Sequence, residues 1–176
     1  MASCKYINNF TPVPSDNFFF DNNVWIFLFC PIGNHDKNKQ KRYSCFLQQI
    51  MSSKATIWVN GVVLSEFINT SLRLDFNLWK QNANIVSPDF KKDYRQTIRY
   101  KSTIQSIISA VTQILKISEK CTDNFNALDL NNIFNNLFNI DFNDLCYVEL
   151  CKCTKYKLVT DDHDFDNIKD NITVIH

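Results

Sequence analysis

Short apolar segments alternate along the chain with longer segments whose apolar residues recur at helical spacing. The short segments have the length and composition of buried strands and lie at residues 17–20, 55–59, 156–159 and 172–175. Strands separated by helices usually form a parallel sheet that is covered on both faces. The pattern therefore predicts an α/β protein with three layers, α/β/α, around a mostly parallel sheet of four to five short strands.

The segments between the strands are predicted to be helices. Their expected ranges are 24–30, 41–52, 62–79, about 104–115, 131–138 and 142 to about 153. The fourth is the most regular, because its apolar residues follow the 3.6-residue period closely. Asn23 is expected to cap the first helix and Asp141 the last, since their side chains can accept hydrogen bonds from unpaired backbone N–H groups.

The length and composition favour one domain over residues 1–176. A chain of 176 residues suits a single domain, and 2 Gly and 4 Pro leave little room for linkers. Hydrophobic residues make up 45% of the chain, including 15 Phe, which is enough for an aromatic-rich core. The stretch at about 75–103 is long for a connection in a compact domain and is predicted to form a helical hairpin or clamp.

The cysteines and the apolar runs indicate a cytoplasmic protein without a membrane segment. The seven cysteines form an odd set, lie mostly in apolar segments, and are interpreted as reduced thiols. Cys151 and Cys153 have the wrong spacing for a zinc knuckle. The apolar run at 24–32 is too short to span a bilayer, and no basic segment precedes it.

The charges are balanced overall but unevenly distributed. The formal net charge is +1, which by itself does not indicate a nucleic-acid partner. Basic residues gather at 80–101, whereas residues 161–170 are rich in Asp. The candidate RNA contacts are Lys91, Lys92, Arg95 and Arg99, with Lys41 and Arg42 as a second group. An acidic protein partner, or solvated faces of opposite sign, remain open as alternatives.

Four acidic residues lie at the edges of hydrophobic segments: Asp21, Glu66, Asp144 and Asp162. Asp21 and Asp162 follow predicted strands, and ligands of open α/β sheets bind beyond the carboxyl ends of the strands. Two like charges about 4 Å apart cost roughly 4 kcal/mol at an effective dielectric constant near 20. A cluster of such acids takes up protons or binds a cation, and carboxylates suit Mg²⁺ or Mn²⁺.

Each acid also has a simpler interpretation. Asp21 can end a strand and favour a turn, and Glu66 can be an exposed helical glutamate. Asp144 follows Asp141 by three residues, as in a helix-capping arrangement. Asp161, Asp162 and Asp164 can be turn residues. The three histidines show no zinc-ligand spacing with these acids, and His163 is expected to face solvent.

Four segments resemble motifs of the PIN-domain ribonucleases, and within that family those of the VapC-type toxins. In order, they are FFFDNNVW, VVLSEFIN, DFNDLCYVELCK and KLVTDDHDF. The resemblance implies that Asp21, Glu66, Asp144 and Asp162 hold Mg²⁺ or Mn²⁺ and carry catalysis. It implies that Asp164 is a further ligand or braces the loop. Asn23, Ser65 and Thr160 would orient the carboxylates or waters. The run of acids leaves the fourth ligand ambiguous, and Asp162 matches the motif better than Asp161.

The resemblance also implies a function and partners. The expected activity is endonucleolytic hydrolysis of RNA, by the toxin half of a toxin–antitoxin pair that forms a homodimer and binds an antitoxin protein. A non-catalytic RNA- or protein-binding module and a housekeeping RNA-processing nuclease remain alternatives. A haloacid-dehalogenase-like phosphatase needs a second Asp two residues after the first, and Asn23 occupies that position. A DNA nuclease of related fold stays open, because DNA and RNA phosphates demand the same metal chemistry.

Overall fold

A computed structural model describes residues 2–33, 35–82, 86–168 and 170–176, except for the side chain of Asn167. Its centre is one six-stranded sheet in the order β1-β6-β5-β2-β3-β4, with every neighbouring pair parallel. The strands are β1 Ser3–Lys5, β2 Asn17–Phe20, β3 Thr56–Val59, β4 Glu119–Lys120, β5 Lys157–Val159 and β6 Thr173–Ile175.

Six α-helices alternate with these strands. They are α1 Asn22–Phe29, α2 Lys37–Ser53, α3 Gly61–Asn82, α4 Ile98–Ile117, α5 Leu130–Asn136 and α6 Phe142–Thr154. Short 3-10 helices lie at Ile7–Asn9, Tyr94–Gln96, Phe125–Ala127 and His163–Asn167. The predicted α/β class is confirmed, and the sheet has six strands where the sequence suggested four to five.

The central strand β2 is enclosed on both faces. Phe18, Phe19 and Phe20 are all 0% exposed, because β2 pairs with β3 on one side and β5 on the other while helices cover the sheet. Phe19 packs on Tyr147 of α6, with ring centroids 5.3 Å apart. A strand buried on both faces reads as a continuous apolar run, which is why the sequence revealed β2.

The two strands absent from the sequence prediction are the edge strands β1 and β4. Their residues are exposed and, apart from Cys4, polar, and each strand has three residues or fewer. Short, polar edge strands protect a sheet from pairing with other chains. Such segments carry no alternation of apolar and polar residues, so periodicity could not identify them.

The helix boundaries correct one cap. Asp21, and not Asn23, is the N-cap of α1, where its side chain accepts a hydrogen bond from the backbone N–H of Asn22. The helix therefore begins at the first residue beyond Asp21, and Asn23 lies in its first turn. Helix α2 begins at Lys37, earlier than expected, because the Asp36 side chain accepts from the N–H groups of Asn38 and Lys39. Asp141 occupies the N-cap position of α6 but makes no side-chain capping bond.

A buried carboxylate joins α3 to α4. Asp75 is 4% exposed and accepts hydrogen bonds from Tyr94 Oη (2.6 Å), Thr103 Oγ1 (2.7 Å) and Arg99 Nη2 (2.6 Å). Burial alone would raise the pKa of Asp75, but the bonds from Arg99, Tyr94 and Thr103 bring it below its ordinary value. The charge is therefore retained inside the protein and fixes α4 against the helix that carries Glu66.

The predicted clamp at residues 75–103 includes residues 83–85, which lie outside the described part of the chain. On either side, α3 extends to Asn82 and α4 begins at Ile98. Phe90 and Tyr94 of the connecting segment pack on Phe76 of α3, and the centroid of the Phe90 ring is 5.3 Å from those of Phe76 and Tyr94. The clamp as a functional unit stays a prediction.

The cysteines of the described residues are all free thiols. Cys30 and Cys151 are buried, and Cys4, Cys45 and Cys153 are exposed. Among the described residues, no helix is both long enough and apolar enough to cross a membrane.

We expect Asp75→Ala to lower the free energy of unfolding by about 2–4 kcal/mol, because it leaves the hydroxyls of Tyr94 and Thr103 without their acceptor. Urea denaturation measures this change. The matched control is Asp123→Ala, which removes an exposed carboxylate that accepts one local bond from the Phe125 N–H, and should cost about 0.5–1 kcal/mol. Equal losses in the two variants would contradict a structural role for the buried carboxylate.

Candidate metal centre

The carboxyl ends of β2 and β5 bring two acidic segments together. β2 ends at Phe20 and Asp21 follows it; β5 ends at Val159, two residues before the segment 161–162. The strands are neighbours, and the Asp21 N–H donates to the Val159 carbonyl at 2.9 Å. The parallel pairing therefore places Asp21 beside the loop after β5, at the sheet edge where ligands of such folds bind.

Asp21 is held by a set of hydrogen bonds. It is 5% exposed, and its Oδ1 accepts from the Asn22 N–H at 2.5 Å. Its Oδ2 accepts from Thr160 Oγ1 at 2.7 Å and from Asn23 Nδ2 at 2.5 Å. Asn23 Oδ1 also accepts from the Asp161 N–H at 3.1 Å, so Asn23 links the Asp21 carboxylate to the loop after β5.

Glu66 comes to the same place from α3. Its Oε1 accepts from Asn143 Nδ2 at 2.6 Å, and its Oε2 accepts from the hydroxyl of Tyr147. Both partners lie on α6, the helix that also carries Asp144. Sequence reasoning missed Asn143 and Tyr147. Their spacing around Asp144 in the first turns of α6 was the available signal, but it does not show which distant acid they meet.

The electrostatics show that the four acids share one environment. Burial, followed by the charges of Asp21, Glu66 and Asp162, raises the pKa of Asp144 to about 7. Burial also raises the pKa of Asp21 to about 6; bonds from Thr160 and Asn22 oppose this, and the charges of Glu66 and Asp162 add to it. Asp21 and Asp144 therefore each lie within electrostatic range of Glu66 and Asp162, although, within the described residues, no three of these four carboxylates have ligand atoms within 4.8 Å of one another.

The three acids of the loop after β5, Asp161, Asp162 and Asp164, have different partners. Asp161 accepts from Lys39 Nζ (2.5 Å), Arg42 Nη2 (2.5 Å) and Tyr43 Oη (3.0 Å), so two cations neutralise it. Asp162 caps the His163–Asn167 helix, and its N–H donates to Thr160 Oγ1 at 3.0 Å. This arrangement favours Asp162 over Asp161 as the member of the cluster.

Asp164 contacts the cluster through its backbone, because its N–H donates to Asp162 Oδ1 at 2.9 Å, and Ser65 shares a cavity with Glu66. Asp164 is exposed and lines a separate cavity with Asn132 and Asn136. Ser65 is exposed, and its Oγ accepts from Asn69 Nδ2 at 3.4 Å. It lines a cavity of about 510 Å³ that also holds Glu66 and Arg73. Arg73 was not singled out from the sequence, because a lone arginine in a helix is ordinary.

The basic candidates divide into paired and unpaired groups. Arg99 is bound to Asp75, and Arg42 to Asp161. Arg95 lies over the ring of Tyr100 at 5.8 Å, while the exposed Lys91 and Lys92 form no ion pair among the described residues. The remaining member, Lys41, is exposed and lines a cavity between α2 and the segment at residues 7–12.

The donor set suits a hard divalent cation. The pKa values of Asp21 and Asp144 are raised by burial and by the charges of neighbouring acids, so a positive charge nearby would oppose both effects. Carboxylate oxygens are the preferred ligands of Mg²⁺ and Mn²⁺. Asn23, Thr160, Asn143 and Tyr147 hold two of the carboxylates, Asp21 and Glu66, in place.

Comparison with known proteins gives a family and a fold. This protein superposes with a TM-score of 0.52 on a chain of VapBC2 from Rickettsia felis, whose crystal structure contains a DNA fragment from the VapBC2 promoter. The two are 15% identical in sequence over 91% of this chain and 98% of that one. No curated protein sequence matches the chain. The family model of the PIN domain matches residues 18–171, which contain all four acids. The chain therefore belongs to the PIN-domain family.

Proposed function

We propose that this protein is a Mg²⁺- or Mn²⁺-dependent endoribonuclease. The observation that carries the proposal is that Asp21 accepts a hydrogen bond from Thr160 after β5 and Glu66 accepts one from Asn143 beside Asp144, with Asp162 in the same loop as Thr160. Membership of the PIN-domain family supports a nuclease, and the all-oxygen donor set supports a hard cation. The combination favours hydrolysis of phosphodiester bonds over redox or acyl-transfer chemistry.

In this proposal, Asp21, Glu66, Asp144 and Asp162 hold one or two divalent ions, with Asp164 as a further candidate. When bound, such an ion supplies a Lewis acid that activates water and offsets negative charge on a phosphate. Asn23 and Thr160 keep the Asp21 carboxylate directed into the site, and Asn143 and Tyr147 do the same for Glu66. Ser65 would orient water molecules from the cavity that it lines with Glu66.

The RNA would approach along surfaces that carry cations. Arg73 lies in the same cavity as Glu66, and Lys39 and Arg42 lie beside Asp162 through their pairing with Asp161. These groups would bind backbone phosphates. Lys41, Lys91, Lys92, Arg95 and Arg99 are the more distant candidates. Arg99 is the weakest of these, because Asp75 already uses its guanidinium.

The biological role we propose is that of a toxin that acts in the cytoplasm, forms a homodimer and is neutralised by an antitoxin protein. The support is the shared fold with a chain of VapBC2, a protein crystallised with promoter DNA. The presence of an acid at all four positions favours an enzyme over a non-catalytic module. A housekeeping RNA-processing nuclease would use the same site.

The first test is RNA cleavage by wild type and by Asp21→Asn in the presence of Mn²⁺. We expect the substitution to reduce the cleavage rate by more than about 100-fold, because it removes a charge and a ligand while keeping the size of the side chain. Asp123→Asn, at an exposed position, is the control and should cleave as wild type does. Comparable rates for Asp21→Asn and wild type would end the nuclease proposal.

The second test removes the hydroxyl that holds Glu66. We expect Tyr147→Phe to weaken Mn²⁺ binding by about 10–100-fold, because Glu66 loses a hydrogen bond while the ring still packs on Phe19. Isothermal titration calorimetry measures the affinity. Tyr156→Phe is the matched control, since its ring stacks on Trp58 and its loss of a hydroxyl should leave the affinity unchanged. Equal effects of the two variants would argue against the role of Tyr147.

The third test is the pH dependence of metal binding. Protons compete with the metal for Asp144 and Asp21, whose pKa values are about 7 and 6. We expect the apparent Mn²⁺ affinity to fall by at least about tenfold from pH 8 to pH 6, since the carboxylates must be deprotonated to bind.

The metal-free protein should show the opposite trend in stability. The folded state holds the protons of Asp144 and Asp21 more tightly than the unfolded chain does, so the free energy of unfolding should fall as the pH rises from about 5 to 7. Asp144→Asn should flatten this trend. A metal affinity independent of pH between 6 and 8 would contradict the raised pKa values of Asp144 and Asp21.

A further inference from the structure

A second group of potential metal ligands lies at the β1–β6 side of the sheet, on residues that the proposed nuclease site does not use. Cys4, Asp166 and His176 each offer one ligand atom, and these atoms lie within 4.8 Å of one another. The three residues come from β1, from the His163–Asn167 helix and from the residue after β6. No local motif indicates this group, because its members are at least ten residues apart in the sequence.

The strand pairing explains why Cys4 and His176 meet. Cys4 is in register with Val174, and the chain continues in the same direction until the His176 N–H donates to the Lys5 carbonyl at 2.9 Å. Side chains two residues apart on a strand lie on the same face of the sheet. His176 is therefore on the face that Cys4 shares with Val174, and the short helix after β5 adds Asp166 on that side.

His176 is a buried imidazole without a hydrogen bond. It is 4% exposed, and within the described residues neither ring nitrogen has a hydrogen-bond partner. Its Nε2 is nevertheless 2.8 Å from Asp166 Oδ1, a contact that lacks the direction of a hydrogen bond. A buried polar group in this condition is costly unless something else satisfies it. The nitrogen that faces Asp166 is thus available to a ligand.

His163 supports the carboxylate from the other side. Its Nδ1 lies 2.9 Å from Asp166 Oδ2, and its ring stacks on that of His176 with centroids 5.0 Å apart. The two oxygens of Asp166 therefore contact one imidazole each. A carboxylate ligand of a metal is usually held by such an outer hydrogen bond, which fixes its orientation.

We propose that Cys4 Sγ, His176 Nε2 and an Asp166 carboxylate oxygen form a binding site for a transition-metal ion of the Zn²⁺ class, with His163 orienting Asp166. One thiolate, one imidazole and one carboxylate are the ligand types that zinc accepts, whereas Mg²⁺ and Mn²⁺ prefer oxygen alone. The site is distinct from the cluster around Asp21 in both position and donor chemistry.

The local geometry can accommodate the ion. Tetrahedral zinc with bonds of about 2.0–2.3 Å keeps its ligand atoms roughly 3.3–3.8 Å apart. The ligand atoms of Cys4, Asp166 and His176 lie within 4.8 Å of one another, and His176 Nε2 is 2.8 Å from Asp166 Oδ1, so shifts of about 1 Å suffice. Cys4 and Asp166 are exposed, which gives the ion a path from solvent and leaves a fourth position for water.

The test is Zn²⁺ titration of the full chain in competition with a chromophoric chelator, with excess Mg²⁺ present to occupy the acidic cluster. Wild type should bind one Zn²⁺, and Cys4→Ser and Asp166→Asn should each weaken binding at least about tenfold. Cys4 is exposed, so Cys4→Ser leaves the core unchanged. Cys45→Ser, which changes an exposed cysteine on α2, is the matched control and should bind as wild type does.

A second readout identifies the ligands. With Co²⁺ in place of Zn²⁺, wild type and Cys45→Ser should show the near-ultraviolet absorption of a thiolate–cobalt bond, and Cys4→Ser should lack it. His176→Gln should bind Co²⁺ more weakly with the band retained. The proposal is overturned if Cys4→Ser binds Zn²⁺ as tightly as wild type, or if Cys45→Ser loses as much affinity as Cys4→Ser. Neither result depends on nuclease activity.

Discussion

The burial of the three phenylalanines of β2 is the constraint on which the site depends. Phe18, Phe19 and Phe20 lie in the centre of the sheet between β3 and β5. The chain first reaches the carboxyl edge of the sheet at the residue after Phe20. Asp21 is that residue, and it is buried. Burying an ionised carboxylate is costly unless hydrogen bonds or a cation compensate. The position of Asp21 therefore follows from the burial of β2. Its carboxylate requires hydrogen-bond donors because it is buried with the strand.

Those partners give the acidic cluster its rigidity. Asn23 and Thr160 hold Asp21, while Asn143 and Tyr147 hold Glu66, so side chains from α1, α6 and the loop after β5 share the task. The cations Lys39 and Arg42 neutralise Asp161 and leave Asp162 to the cluster. The charges of Glu66 and Asp162 thus act on Asp21 and Asp144 in a fixed geometry, and this is the condition under which a bound cation gains most.

The sequence predicted the parts of this structure that carry a local pattern. The strands β2, β3, β5 and β6 carry short apolar runs and the six helices carry apolar residues at helical spacing, so their existence could be predicted, with ends that differ by a few residues. The strands β1 and β4 are exposed and, apart from Cys4, polar, and only their neighbours in the sheet define them. The cap of α1 was misassigned because Asp21 and Asn23 are both good caps, and the end of β2 decides between them.

Site residues followed the same rule. The four acids could be proposed from the resemblance of their motifs, whereas Tyr147 and Asn143 contact Glu66 across 77 residues or more and leave no local trace. The pairing of Arg99 with Asp75 and the meeting of Cys4 with His176 also depend on tertiary packing alone. Long-range polar contacts were the part that single-sequence reasoning could not supply.

The His163–Asn167 helix has a mechanical consequence. Asp162 caps this single short element, and Asp166 lies within it, only four residues further along. The two ends of a five-residue 3-10 helix are separated by less than two turns, so they move together. A ligand that immobilises Asp166 would therefore also restrict the backbone beside Asp162. Any change that this causes in the affinity of the Asp162 site must be matched by an equal change at the Asp166 site when the Asp162 site is occupied.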